Sequence, residues 1–143
     1  QAFAAILDGS VVSWGDAGHG GDSSAVQEHA TGVQQLQANL YSFAAILDTG
    51  SVLTWGLSDH GGDSAAVRHQ LSKVHKVQAT QAAFAAILDD GSVVAWGNFE
   101  FGGDSSAVQE QLKNVVEVQA TGFSFAAILD TGCIVTWGAP EFG

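Results

Sequence analysis

Phe84-Ala85-Ala86-Ile87-Leu88-Asp89-Asp90-Gly91-Ser92-Val93-Val94-Ala95-Trp96-Gly97 decides the fold. Two runs rich in β-branched and aromatic residues flank an Asp-Asp-Gly, and a glycine able to take positive φ between such runs marks a hairpin turn. Ile87–Leu88 and Val93–Val94 are adjacent apolar pairs, like Ile6–Leu7 and Val11–Val12 earlier in the chain. A sheet with one wet face would alternate polar and apolar residues. This hairpin needs cover on both faces, as when small sheets stack around an axis. Its paired alanines leave room for a neighbour to approach.

The stretch recurs. Phe-Ala-Ala-Ile-Leu-Asp hairpin copies start at Phe3, Phe43, Phe84 and Phe125 and lead to Trp-Gly at Trp14, Trp55, Trp96 and Trp137. The tryptophans are 41 residues apart throughout, whereas the first two phenylalanines are 40 apart. That slip falls in the turn, Asp8-Gly9 against Asp48-Thr49-Gly50. Gly-Gly-Asp follows, with second glycines Gly21, Gly62 and Gly103. Each unit closes on an alternating run containing Gln37, Gln78 or Gln119. In the last run, Val116, Val118 and Ala120 are expected on one face and Glu117 and Gln119 on the other. Ser24 to Gln27 and Ser106 to Gln109 fit a capping box, so short helical turns are expected after the Gly-Gly-Asp loops.

A 41-residue unit of three or four strands is propeller-blade size. The expected fold class is all-β, a partial β-propeller of about 3.5 blades in which residues 1–143 form a single repeat array. Gln1-Ala2-Phe3 aligns with Ala82-Ala83-Phe84, and Glu141-Phe142-Gly143 with Glu100-Phe101-Gly102. Both ends therefore fall inside a unit, and the array reads as a piece of a longer propeller.

Asp-x-Gly-Ser-Val-Val-x-Trp-Gly, preceded by Val-x-Val-Gln-Ala-Thr and Phe-Ala-Ala-Ile-Leu, resembles the regulator of chromosome condensation repeat over the whole chain. The resemblance implies a β-propeller, normally of seven blades. Ala-Thr and Phe stand where that family tends to have Cys-Gly and His, and Gly-Gly-Asp-Ser replaces its Gly-Gln-Leu-Gly loop. The loops with which the chromatin-bound member exchanges nucleotide on a small GTPase map onto no residue here, so that activity does not carry over. The short 41-residue form is similar to arrays in predicted dinoflagellate proteins.

Fifteen acidic residues against 4 Lys plus Arg give a formal charge of −11, which disfavours binding to phosphate backbones. The apolar content of 46% argues against disorder, and the single Cys133 against a disulfide scaffold. No apolar run is long enough for a transmembrane helix. His19 and His60 align with Phe101 and Phe142, which cannot ligate, so loop packing is expected and no metal site. Asp22, Asp63 and Asp104 are expected as turn or cap residues and not as calcium ligands. The four tryptophans are expected in the core between blades. Gln37, Gln78 and Gln119 are expected to hydrogen-bond from blade to blade. Cys133, aligned with Ser10, Ser51 and Ser92 and with no histidine in its unit, is not expected to be a nucleophile.

Two sets of residues stand out as candidates for binding a partner. Arg68, His69, Lys73, His75 and Lys76 gather three of the four formal cations, a docking patch for an acidic partner. Phe99, Phe101, Pro140 and Phe142 make the loops of the last two units more apolar than those of the first two. No catalytic constellation or phosphate-binding loop is present, and no cofactor is expected. The function expected is a non-enzymatic protein-interaction scaffold, an accessory subunit whose partners are other protein subunits. The alternatives are a peripheral subunit of an algal photosynthetic complex and a propeller domain of a larger regulatory enzyme, such as a ubiquitin ligase or an exchange factor. A sugar-binding lectin is a weaker rival. A soluble intracellular location is expected, with the plastid as the alternative.

Overall fold

Each Asp-Gly or Asp-x-Gly closes a hairpin in the computed structural model, which describes residues 1–142. Asp8 and Gly9 both take positive φ, 50° and 74°, as a two-residue hairpin turn of the right twist requires. The strands are β1 (Ala2–Leu7), β2 (Ser10–Gly15), β3 (Val33–Ala38), β4 (Ser42–Leu47), β5 (Val52–Gly56), β6 (Val74–Ala79), β7 (Ala83–Leu88), β8 (Val93–Gly97), β9 (Val115–Ala120), β10 (Ser124–Leu129) and β11 (Ile134–Gly138). They form one two-stranded sheet, β1-β2, and three three-stranded antiparallel sheets, β3-β4-β5, β6-β7-β8 and β9-β10-β11. This is a partial β-propeller. The alternating run at the end of each sequence unit joins the hairpin of the next one, so every three-stranded blade draws on two units.

The middle strand has the cover its composition demands. Ala83, Phe84, Ala85, Ala86 and Ile87 are fully buried. First strands of neighbouring blades touch, β3 with β6 and β6 with β9, whereas the third strands pack on the loops of the preceding unit. Blades that splay from an axis meet at their inner strands and leave an outer wedge, and the Gly-Gly-Asp loop fills it. Trp55, Trp96 and Trp137 close that wedge, their indole N–H groups donating to the carbonyls of Gly20, Gly61 and Gly102 at 3.1, 3.1 and 3.0 Å. Further bonds tie each pair of units, from the Val33, Val74 and Val115 amides to the Gly9, Gly50 and Gly91 carbonyls at 2.8, 2.9 and 2.9 Å.

The second glycine of each motif is a steric requirement. A Cβ on Gly21 or Gly62 would lie 2.5 Å from the carbonyl carbon of Gly15 or Gly56, and Gly103 is pressed against Gly97 in the same way.

Four expectations need correction. Trp14 is 51% exposed, because among the described residues no unit lies against its face and no loop carbonyl meets its indole. Val116 is exposed rather than inward-facing, because a bulge inserts it between Glu117 and Val115, which pair with Ile128 and Leu129. The extra residue shifts the alternation before Glu117, so Val115 is buried in place of Val116, while Val118 is buried as expected. The capping boxes do not form: Asp22 and Asp104 accept from the Ser24 and Ser106 amides at 2.8 Å, while Ser23 and Ser105 donate to Gln27 and Gln109. Short 3₁₀ turns do follow those loops, at Arg68–Gln70 and Ser106–Gln111. Finally, Gln37 and Gln119 bond within their own strands, to the Ala38 carbonyl and to Glu117. The links between blades come two residues earlier, from Gln35 to the His75 carbonyl and from Lys76 to Glu117.

Candidate functional site

Antiparallel order sorts the candidate residues by position. The Gly-Gly-Asp loops and the first-to-second-strand connections lie at one end of the blades, and the Asp-Gly turns lie at the other.

At the loop end the 41-residue register builds a row of rings. His19 stacks on Tyr41 at 5.4 Å and Tyr41 meets His60 edge-on at 4.4 Å. Two units on, Phe101 stacks on Phe123 at 5.2 Å and Phe123 on Phe142 at 4.6 Å. Buried Ala82, at the Tyr41 and Phe123 position, interrupts the row. Asn39 and Thr80 hold these loops by donating to the His60 and Phe101 carbonyls, both at 2.8 Å. Phe99 is 72% exposed and Phe142 56%, with exposed Pro140 two residues before Phe142, so this end of the row is an apolar surface. Tyr41 and Phe123 were not among the expected site residues. Their signal was available in the sequence as aromatic residues one repeat apart from Ala82 on either side.

His19 and His60 pack in the row, and their acidic neighbours are Asp16 at 3.1 Å, off the hydrogen-bond axis, and Asp59 at 2.8 Å. Asp63, like Asp22, spends its carboxylate on a backbone amide, that of Ala65 at 2.8 Å. No group of three or more His, Cys, Asp or Glu side chains that could hold a metal ion occurs among the described residues. Cys133 is exposed and free.

Asp16, Asp22, Asp59, Asp90 and Asp104 titrate low. The His19 and His60 rings hold Asp16 and Asp59 below the usual carboxylate range, and the Ser24 and Ser106 amides do the same for Asp22 and Asp104. The Ser92 side chain lowers Asp90. A depressed folded-state value adds stability that is present above the unfolded value and is lost as pH falls through the folded one. Stability is therefore expected to be level from neutral pH down to about 5 and to decline progressively below that, as unfolded carboxylates begin to protonate. Urea midpoints across that range check this, and a decline beginning near neutrality would contradict it.

The basic cluster lies toward the turn end and is interleaved with acids. Lys76 Nζ is 3.5 Å from Glu117, and His75 Nδ1 is 3.5 Å from Asp89. Lys73 and His75 line a polar groove of about 400 Å³ with Gln34, Asp48 and Asp89. Arg68, His69 and Lys73 are exposed and make no ion pair among the described residues. Lys73 also sits at φ 56°, where the equivalent residues are Gly32 and Asn114.

Arg68 occupies a position with a structural use elsewhere. Its counterparts Gln27 and Gln109 donate to the carbonyls of Val11 and Val93, both at 3.0 Å, tying the loop to the third strand. Arg68 makes no such bond to Val52. Arg68→Gln is expected to raise stability by about 1 kcal/mol, one net hydrogen bond. An unchanged or lower urea midpoint would contradict it.

No helix among the described residues is long and apolar enough to cross a membrane. The fold is that of RCC1-like propellers. Over 96% of its length the chain is similar to yeast RCC1 (Prp20), seen in complex with Kap60, at 18% identity and a TM-score of 0.66, covering 41% of that chain. It is similar to the receptor kinase CR4 ectodomain of Physcomitrella patens at 18% identity and a TM-score of 0.58, covering 96% of this chain and 36% of that one. Human WBSCR16 is similar at 20% identity and a TM-score of 0.54, over 74% of this chain and 33% of its own. The chain thus spans less than half the length of the structures it resembles. No family model matches the sequence. No curated protein matches it either.

Proposed function

We propose that this chain is a non-enzymatic protein-interaction module, an accessory subunit that docks another protein through the loop end of its last two blades. The observation that carries this reading is the stack of Phe101, Phe123 and Phe142, which leaves Phe142 open to solvent, with exposed Phe99 in the same loop as Phe101. Exposed aromatic rings fixed by packing lose little entropy when a partner covers them, and such anchors carry most of the binding energy at protein interfaces. The partner fitted to this surface offers apolar side chains. Fold-level likeness supports the same reading, since the similar yeast propeller is seen bound to the protein Kap60.

Purification of the native polypeptide under mild conditions tests the proposal. A second protein is expected at fixed stoichiometry, and Phe99→Asp should weaken its association by about tenfold or more. Elution of the native polypeptide alone, or a complex indifferent to Phe99→Asp, would overturn the loop-end reading. Charge reversal at Arg68, Lys73 and Lys76 probes the turn-end cluster separately.

A further inference from the structure

Lys73 holds a backbone conformation that its residue type does not favour. Among the described residues, positive φ outside glycine occurs at Asp8, Lys73 and Asn114, at 50°, 56° and 54°. Short Asp and Asn side chains tolerate this region by bonding locally, and a lysine has no such compensation. One repeat to either side, the same position holds Gly32 and Asn114. The Lys73 backbone is pinned from both sides: its carbonyl accepts from the Asp89 amide at 2.9 Å, and a Cβ on Gly50 would lie 2.8 Å from its Cα. Strained residues that persist because their surroundings fix them gather at ligand sites.

Lys73 lines the polar groove of about 400 Å³ with Gln34, Gln35, Asp48, His75 and Asp89, at the turn end between the blades β3-β4-β5 and β6-β7-β8. Each of these two blades has another blade on its far side. A groove of this volume suits a small molecule. Gln35 ties its walls together, donating from β3 to the His75 carbonyl of β6 at 3.0 Å.

The groove holds charges of both signs that are not spent on each other. Lys73 and Asp48 make no ion pair among the described residues. Asp89 is 3.5 Å from His75, and Asp90 accepts from the amide and hydroxyl of Ser92 at 2.9 and 2.6 Å. At the other two junctions the carboxylates recur, as Asp8 with Asp48 and Asp89 with Asp130, but the cation does not. A simple anion drawn to Lys73 would be repelled by Asp48 and Asp89, and a simple cation drawn to those carboxylates would be repelled by Lys73. A ligand carrying both charges satisfies both walls.

We propose that this groove binds a small zwitterion of the amino-acid or dipeptide class, its carboxylate on the Lys73 ammonium and its ammonium on the Asp48 carboxylate. A dipeptide carries its opposite charges up to about 7 Å apart, which suits two groups that are too far apart to pair directly. The site lies at the opposite end of the blades from the loop-end aromatic surface and does not depend on it.

Titration of the whole chain with glycylglycine at low ionic strength, followed by amide NMR, tests the proposal. Saturable shifts are expected at Gly50, Val74, His75 and Asp89, with a Kd of about 1 mM, a value suited to a few exposed polar contacts. Acetate and methylammonium, each carrying one of the two charges, should bind at least tenfold more weakly. Lys73→Asn restores the residue type found at position 114 and so keeps the backbone conformation; it should weaken glycylglycine binding by tenfold or more, as should Asp48→Asn. Asp130→Asn, at the corresponding turn of another blade, should leave binding unchanged. Circular dichroism shows that the variants fold. The absence of saturable shifts up to about 50 mM would overturn the proposal, since binding weaker than this amounts to under 2 kcal/mol. So would acetate or methylammonium binding as well as the dipeptide, affinity undiminished by Lys73→Asn, or an equal loss on Asp130→Asn.

Discussion

Trp96→Ala is expected to destabilise the protein by about 3–5 kcal/mol, the range for a buried aromatic residue. Trp96 is 4% exposed, stacks on Phe84 at 5.4 Å and donates to the Gly61 carbonyl across the junction. The array contains its own control. Trp14 has the same place in the repeat and a similar stack on Phe3, but it is 51% exposed and meets no loop carbonyl. Trp14→Ala should therefore cost below about 1 kcal/mol, as exposed substitutions do. Urea unfolding followed by circular dichroism compares the two, and equal losses would show that the junction does not carry the stability assigned to it. Should Trp96→Ala fail to fold, Trp96→Phe isolates the indole bond. It leaves the buried Gly61 carbonyl unpaired and is expected to cost about 1–3 kcal/mol.

Gly61→Ala should cost about 2–5 kcal/mol, because left-handed strain of about 1–2 kcal/mol adds to overpacking of about 1–3. Gly61 has φ 96°, and a Cβ there would come within 2.6 Å of the Phe84 ring. Phe84 is fully buried between blades, so the ring has nowhere to move. Gly132 separates the two contributions, with φ 82° and nothing within 4 Å of a Cβ. Gly132→Ala should show the backbone cost alone, about 1–2 kcal/mol. If thermal or urea unfolding gives the two variants equal losses, the contact between the first motif glycine and the next unit's phenylalanine is unimportant.

Much of the blade could be read from local pattern. The Asp-Gly turns predict the hairpins, and adjacent apolar pairs such as Ile87–Leu88 predict burial on both faces, which the fully buried middle strand shows. Register within a hairpin is set by the turn, so Phe84 opposite Trp96 follows from chain spacing. Val116 was misplaced because a bulge costs the sequence one residue and has no marker in residue type. Gln27 and Gln109 carried a helix-start pattern, yet their amides reach carbonyls that lie close only after the loop has folded back onto the third strand.

The candidate site was legible only in part. Phe99, Phe101 and Phe142 could be chosen because they replace smaller or polar residues in other units. The stacking of Phe101 and Phe142 on Phe123, and the break at Ala82, depend on which connection each loop meets across the blade top.

By itself, the sequence determined the 41-residue period, the hairpins and the demand for cover on both faces, since these depend on neighbours a few residues apart or on repetition of the same few residues. Only the tertiary structure decided that the indoles of Trp55, Trp96 and Trp137 each bond a glycine 35 residues back, and that Gln35 and Lys76 rather than Gln37 and Gln78 bridge blades. Those outcomes follow from the distance and tilt between successive blades. That geometry is set by packing across the whole stack and by no single unit.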